Sequence, residues 1–372
     1  MAAFRIVYLV ADLRRVGPTN QTLNIICNAN DSLEDILVLT LFKEPLDSLK
    51  PLFEERGIRC KSLNLNRKNF ILAVWKLQNF IQNNSIGLIH SYGTKPDILL
   101  YLTSKICQIQ YVLTQRNIPV EDYPQRMNRF VGKILAQIHT FVLKHSKHVV
   151  ACSKYLCEVM KTRYGCSQIV PIQNGIDLDR FKNRDKILSR NELGFENDVF
   201  IFISTGLFLE RKHNDEIIKA FLKMGQKNAR LVLLGDGPLL QKMKSQYATE
   251  KQIFFAGKVA NVAQYLSSAD CFVSASDSEG LPNAVLEALA CQVPVVLSDI
   301  PQHREILDEL PDCGMLFPVR DVESLTTKMA QILEGKTKFS NEIRKLLDAS
   351  PFSTKAMGKK YKEFYEEIQN EK

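Results

Sequence analysis

Short runs of β-branched and aliphatic residues return along this chain at nearly even spacing, at 4–10 (FRIVYLV), 35–42 (DILVLTLF), 86–91 (IGLIHS), 111–115 (YVLTQ) and 148–153 (HVVACS). Helix-patterned segments separate them, so the alternation predicts βα crossover units in a parallel sheet. A polar, charged stretch near residue 180, DLDRFKNRDKILSRNELGFEND, interrupts the series. It then restarts at 199–206 (VFIFISTG), 230–237 (RLVLLGDG), 253–257 (IFFAG), 271–276 (CFVSAS) and 293–299 (VPVVLSD). Two doubly wound α/β domains are therefore expected, 1–180 and 181–352, with a ligand crevice at the carboxyl ends of their strands. In the tail, 353–372, Met357, Tyr361, Phe364, Tyr365 and Ile368 fall on one stripe of a charged helix, which must pack and is expected to return to the first domain.

With 372 residues the chain has length for two cores. Its nine cysteines include no C-x-x-C pair, which points to reduced, mostly buried thiols. Residues 2–11 are interrupted by Arg5 and ended by Asp12, so they read as a first strand and not as a signal peptide. Nor does any apolar run reach the ~20 residues that span a bilayer. A cytoplasmic protein is expected, soluble or peripheral on the inner face of the membrane. The formal charge is +8, and residues 1–180 alone hold 23 basic and 14 acidic side chains. From Pro124 to Gly165 there are eight lysines and arginines against one acid, Glu158. An anionic partner should therefore meet the first domain.

The chemistry concentrates in 276–290, SDSEGLPNAVLEALA, after a buried strand. Gly280 permits a turn, Pro282 suits the first helical position, and the helix amides near Leu281 and Asn283 form an anion site. Glu287 shares a helix face with Asn283. Two carboxylates beside such a helix end would repel phosphate, so Glu279 and Glu287 should meet neutral hydroxyls; a sugar nucleotide presents both kinds of group. The plainer alternative is that Glu279 favours the helix start and Glu287 is a solvated residue.

The run LVLLGDGPLLQKM, followed by FFAGKVANVAQYLSSADCFVSASDSEGLPNAVLEALACQVPVV, resembles the C-terminal domain of family 4 glycosyltransferases of the GT-B fold, including the E-x7-E pattern formed by Glu279 and Glu287. PIQNGIDLDRF, VACSKYL and FSTKAMGKKYKEFY extend the resemblance over nearly the full length, and GPTNQTLNI, HSYGTKPDIL and QRNIPVEDYP are similar to members that build bacterial surface polysaccharides, capsule or lipopolysaccharide.

The resemblance implies two Rossmann-like domains facing across a cleft and a retaining transfer from a nucleotide sugar, UDP-sugar favoured, to a glycan or lipid-pyrophosphate acceptor, with no metal. It implies that Glu287 holds the ribose and that Glu279 contacts the donor sugar. The diphosphate would be met by Arg211 and Lys212 after the Gly206 turn, by the amides about Gly280, Leu281 and Asn283, and by the Gly17 loop. The base would lie near Val259, and His90 would position an acceptor or sugar hydroxyl. Arg116, Glu121, Asp122 and Tyr123, expected in a loop after a strand, are acceptor-side candidates. Three positions depart from the family pattern: Leu207 stands where an arginine is usual, Gly17-Pro18 replaces Gly-Gly and loses one amide donor, and His90-Ser91-Tyr92 replaces H-x-H.

A GT-B nucleotide-sugar epimerase and a non-catalytic nucleotide-sugar scaffold are the alternatives. The E-x7-E segment favours transfer over the first, and intact Glu279, Glu287 and Lys212 argue against the second. His145, His148 and Cys152 lack the pairing of a zinc site, GDGP lacks the third glycine of a dinucleotide fingerprint, and no nucleic-acid recognition motif is present. Around 125–144, Met127, Phe130, Val131, Ile134, Leu135, Ile138, Phe141 and Val142 form an apolar stripe opposite Arg126, Arg129, Lys133 and Lys144. Either an anionic membrane or the protein core could take that stripe.

Overall fold

The structure, a computed structural model, describes residues 3–66, 70–182 and 184–371. The chain divides into two compact units, residues 1–175 with 354–372, and residues 176–353. In the first, β1 (Ala3–Val10), β2 (Ile36–Thr40), β3 (Arg59–Ser62), β4 (Ser85–Tyr92), β5 (Tyr111–Gln115), β6 (Val149–Ala151) and β7 (Ile169–Pro171) form a parallel sheet in the order β3-β2-β1-β4-β5-β6-β7. In the second, β8 (Phe200–Thr205), β9 (Ala229–Leu234), β10 (Ile253–Gly257), β11 (Cys271–Ser274), β12 (Val295–Ser298) and β13 (Gly314–Phe317) run parallel in the order β10-β9-β8-β11-β12-β13. These are the two doubly wound sheets the apolar runs predict. Each order reverses once, between β1 and β4 and between β8 and β11, and segments leaving the carboxyl ends of those pairs diverge to opposite faces.

The tail helix Thr354–Asn370 belongs to the first unit. Its stripe residues Met357, Tyr361, Tyr365 and Ile368 enter the core, with Phe364 at the margin. Contact with the helix Gly17–Ala29 is close enough that a Cβ on Gly358 would lie 2.3 Å from the Asn28 carbonyl oxygen, so only glycine fits. Gln110 Nε2 also donates to the Ile368 carbonyl at 2.8 Å.

The same helix encloses His90. This imidazole is completely buried, with Nδ1 2.6 Å from the Tyr365 hydroxyl and Nε2 2.7 Å from Thr114 Oγ1. Tyr92 OH lies 3.0 Å from Nδ1, and Tyr8 OH 3.3 Å from Tyr365 OH. Burial, assisted by the charge of Arg116, keeps the ring well below the usual histidine range and hence neutral. Such a network satisfies the buried hydroxyls of three strands and the tail helix. The expectation that His90 positions a substrate hydroxyl is thereby corrected: both ring nitrogens are already committed inside the core.

A second correction concerns residues 116–126. Residues Pro119–Arg126 are helical, with Pro119 in the first turn and Glu121 and Asp122 favouring the N-terminus. Asp122 and Tyr123 turn inward and are buried. The Tyr123 hydroxyl accepts from Thr94 Oγ1 at 2.6 Å and lies 2.5 Å from His139 Nδ1, whose Nε2 is 2.9 Å from the buried Asp97 carboxylate. The helix predicted near 125–144 spans Arg129–Lys144 and is capped by Asn128. It buries its small side, Gly132, Ala136 and His139 with Val142 and Leu143, because Gly132 rides directly on the Tyr123–Pro124 backbone. Its large apolar residues face outward: Phe130 is 72% exposed, Val131 54%, Ile134 43%, Ile138 45% and Phe141 54%. That stripe is not core, Val142 and the half-buried Leu135 excepted. The Arg126 side chain lies outside the described residues.

Candidate functional site

In the second unit the glycine candidates, Val259 and Glu279 sit just beyond the carboxyl ends of strands. Gly206 follows β8, Gly280 and Glu279 follow β11, and Val259 follows β10, all in loops. The turns after β8 and β9 are joined by Phe208 N donating to the Asp236 carbonyl at 2.8 Å and approach most closely at a glycine: Gly235 has φ +134°, and a Cβ there would lie 1.7 Å from the Gly206 carbonyl oxygen. This contact explains the GDGP run, whose glycines serve a backbone-to-backbone approach.

Beyond Gly206 the chain forms a single 3-10 turn, Glu210–Lys212, which aims both cations at the loop after β11. Arg211 Nη1 donates to the Ser278 carbonyl at 2.6 Å and lies 3.2 Å from Glu279 Oε2, while Lys212 Nζ binds Glu279 Oε1. The backbone closes the same junction, Asp277 N donating to the Arg211 carbonyl at 2.8 Å. Gln302 Nε2 holds the Glu279 carbonyl at 2.6 Å. Burial pushes the Glu279 carboxyl up, but the charges of Lys212 and Arg211 and the Lys212 hydrogen bond outweigh it and hold the group down at about 2. The trio carries one net positive charge at the switch between β8 and β11.

Glu287 presents the opposite case. It lies on the helix Asn283–Ala290, which opens at Pro282, one residue later than Pro282 itself at the first position predicts, and whose N-terminus no side chain caps. Its carboxylate makes no hydrogen bond or ion pair among the described residues. Burial raises it to about 7, opposed only by the distant charge of Arg180. Two carboxylates eight positions apart are thus set in contrasting environments, one locked to two cations and ionised, the other half-buried and short of donors. A vicinal diol is the kind of group that supplies two O–H donors to one carboxylate. Asn283, Leu281 and Gly280 line the turn between them, with Leu281 and Gly280 buried.

Two neighbours escape sequence reasoning. His303, on the helix Pro301–Glu309, lies 2.8 Å through Nδ1 from the Ser298 carbonyl, so Nδ1 carries the proton. Burial lowers the ring to about 4 despite the nearby Glu279 charge, so Nε2 is a buried lone pair with no donor among the described residues. Gln302 Oε1 is likewise an acceptor without a donor. Both follow a strand end with no flanking glycine or acidic motif, and their only signal was position after the VPVVLSD strand.

The first unit holds the remaining candidates. Gly17 opens the helix Gly17–Ala29 after β1, with Pro18 beside it and no side-chain cap. Of the four acceptor-side candidates, Asp122 and Tyr123 are buried, Glu121 is exposed, and Arg116 stands directly after β5 with its guanidinium 5.1 Å from the Tyr92 ring centroid. Among the described residues no group of three or more His, Cys, Asp or Glu is placed to hold a metal ion, and no helix is long and apolar enough to cross a membrane.

Residues 185–346 match the family described as glycosyl transferases group 1, and residues 35–180 match glycosyltransferase family 4. Over 57% of its length the chain is 29% identical to an uncharacterized glycosyltransferase of Methanocaldococcus jannaschii, spanning 54% of that protein. It thus covers about half the length of that relative. It is 24% identical to the Escherichia coli UDP-Gal:alpha-D-GlcNAc-diphosphoundecaprenol alpha-1,3-galactosyltransferase over 84% of this chain and 80% of the relative. With the Escherichia coli O-antigen biosynthesis glycosyltransferase WclY it shares 23% identity over 98% of both. Anabaena HepE, solved with UDP and glucose, superposes with a TM-score of 0.81 at 17% identity over 98% of this chain and 100% of that one, a likeness of fold.

Proposed function

We propose that this chain, which belongs to the family 4 glycosyltransferases with Rossmann-like domains of the GT-B type, moves a sugar from a nucleotide diphosphate donor to a glycan or lipid-pyrophosphate acceptor in surface polysaccharide assembly. The observation that carries the reading is the pairing of the Arg211–Lys212–Glu279 cluster with the donor-poor Glu287 beside one helix end. Glu287 accepts the two ribose hydroxyls, which satisfies a carboxylate the fold leaves short of partners. Arg211 and Lys212 face the diphosphate. Because Glu279 already fixes them, little reorganisation is needed as negative charge grows on the leaving group. Glu279 keeps an ionised carboxylate for hydroxyls of the donor sugar, and neutral His303 adds an acceptor for another. A UDP-sugar is the favoured donor, and the transfer is retaining, with the departing phosphate oxygen taking the acceptor's proton.

The exposed stripe of the helix Arg129–Lys144 supports a peripheral seat on an anionic membrane. Large apolar side chains point outward between Arg129, Lys133 and Lys144, a pattern that enters the headgroup boundary when basic residues draw it to negative lipid. Five such residues lie exposed together on one helix, and contiguous exposed apolar surface marks an interaction or membrane site.

Incubation with UDP-glucose or UDP-galactose, radiolabelled in the sugar, and a bacterial lipid extract tests the reading. Label transferred to lipid supports it. Isomerised free donor identifies an epimerase, and UDP binding with neither product identifies a scaffold.

A further inference from the structure

Arg116 poses an electrostatic problem that the described residues do not solve. The residue follows β5 directly, and its backbone is pinned there: Cys152 Sγ lies 3.5 Å from the Arg116 carbonyl, and Cys152 N donates to the Gln115 carbonyl at 3.1 Å. Its side chain is half-buried, yet Nε, Nη1 and Nη2 are all shut from solvent and none has a hydrogen-bond partner among the described residues. Five N–H donors therefore go unmet. The groups that feel its charge most clearly are His90, Tyr92 and Tyr361, all neutral at physiological pH. Tyr92 offers one ring face at 5.1 Å, a contact that recovers part of the cost and saturates no donor.

Folded chains rarely keep a buried cation in that state, since an uncompensated charge costs far more than one aromatic face returns. Water would satisfy the donors and leave the charge. An oxyanion satisfies both, because the planar fork of guanidinium matches the spacing of two oxygens on a carboxylate or phosphate. The guanidinium nitrogens are covered as they stand, but the residue as a whole is only half-buried, so a turn of the side chain brings the fork to an entering anion.

We infer that Arg116 binds an oxyanion, a carboxylate or a phosphate, carried by the acceptor substrate. The inference rests on the transferase reading for the word acceptor; the binding of the anion stands apart from it. Uronic acid carboxylates and lipid-linked pyrophosphate share the required chemistry, and the two probes separate them.

Calorimetric titration of the full chain with inorganic pyrophosphate and with methyl glucuronoside, each with and without saturating UDP, is the test. Wild-type, R116K and R116Q proteins are compared. At least one anion should bind the wild type, at least tenfold more weakly to R116Q and with intermediate affinity to R116K. Pyrophosphate alone points to a lipid-linked acceptor, methyl glucuronoside alone to an acidic sugar. Equal binding to wild type and R116Q, or no binding of either anion, overturns the inference. UDP is titrated separately: its failure to bind defeats the transferase reading, while the anion titrations still judge Arg116. Thermal melting supplies the control. R116Q, relieved of an unpaired charge, should melt no lower than wild type; a marked fall with unchanged anion binding would make Arg116 a packing residue only.

Discussion

Replacing Glu287 with glutamine probes both the electrostatics of the donor site and its proposed occupant. An unfolded glutamate gives up its proton near pH 4.5, whereas the folded chain holds this one to about 7 because burial disfavours the anion. Between those values the folded state binds the extra proton. The contribution of the group to stability is therefore fully present below pH ~4.5 and is lost as pH rises to 7. A gap of about 2.5 pH units, at about 1.4 kcal/mol each, comes to about 3 kcal/mol by pH 8. Glutamine keeps the shape without the charge, so E287Q should unfold at pH 8 with up to about 3 kcal/mol more stability than wild type. At pH 5 the advantage should shrink below about 1 kcal/mol. Scanning calorimetry across pH 5–8 reads the difference as several degrees in the transition of the second unit. The same substitution should weaken UDP at least tenfold, since hydrogen bonds to a charged acceptor contribute about 1.5–3 kcal/mol each. Near pH 6, wild-type binding should also release a proton, visible as a buffer-dependent heat. A stability difference that does not change with pH, or UDP affinity equal in both proteins, would refute the reasoning.

Further predictions follow from the other clusters. K212M strips a cation from the buried Glu279 carboxylate and should cost about 3 kcal/mol of stability in urea unfolding and at least a hundredfold in turnover; unchanged turnover would remove Lys212 from the site. H90F leaves the Tyr365 and Thr114 hydroxyls without their partner and should destabilise the first unit by about 2 kcal/mol, while turnover per folded molecule stays within threefold; a hundredfold loss would return His90 to the chemistry. The pair F130E and F141E changes only exposed positions, so melting should hold within ~0.5 kcal/mol while flotation with anionic vesicles falls more than tenfold; retained flotation would contradict the membrane seat. Deleting 354–372 uncovers the helix Gly17–Ala29 and should abolish the melting transition of the first unit, and an unaltered transition would contradict that packing.

The apolar runs alone determined both sheets, because a parallel strand buried on both faces must be almost wholly hydrophobic, and nothing else in this chain reads that way. They did not reveal β3, β7 or β13, which lie at sheet edges; the RCKS of β3 alternates exposed and half-buried residues and leaves no apolar run. The sequence also placed Glu279, Glu287, Arg211 and Lys212 beside strand ends, since turn residues and helix starts are local signals. Only the tertiary structure decided how those groups are charged. Glu279 and Glu287 look alike in sequence; one meets two cations across a strand reversal, sixty-seven and sixty-eight residues away, and the other pairs with none among the described residues. Long-range packing likewise withdrew His90 and Tyr123 into the core, turned most of the apolar stripe of Arg129–Lys144 outward, and left Arg116 without a counter-charge among the described residues. Periodicity gives which residues share a face; which way that face points depends on what packs against it, here a glycine seated on a neighbouring backbone.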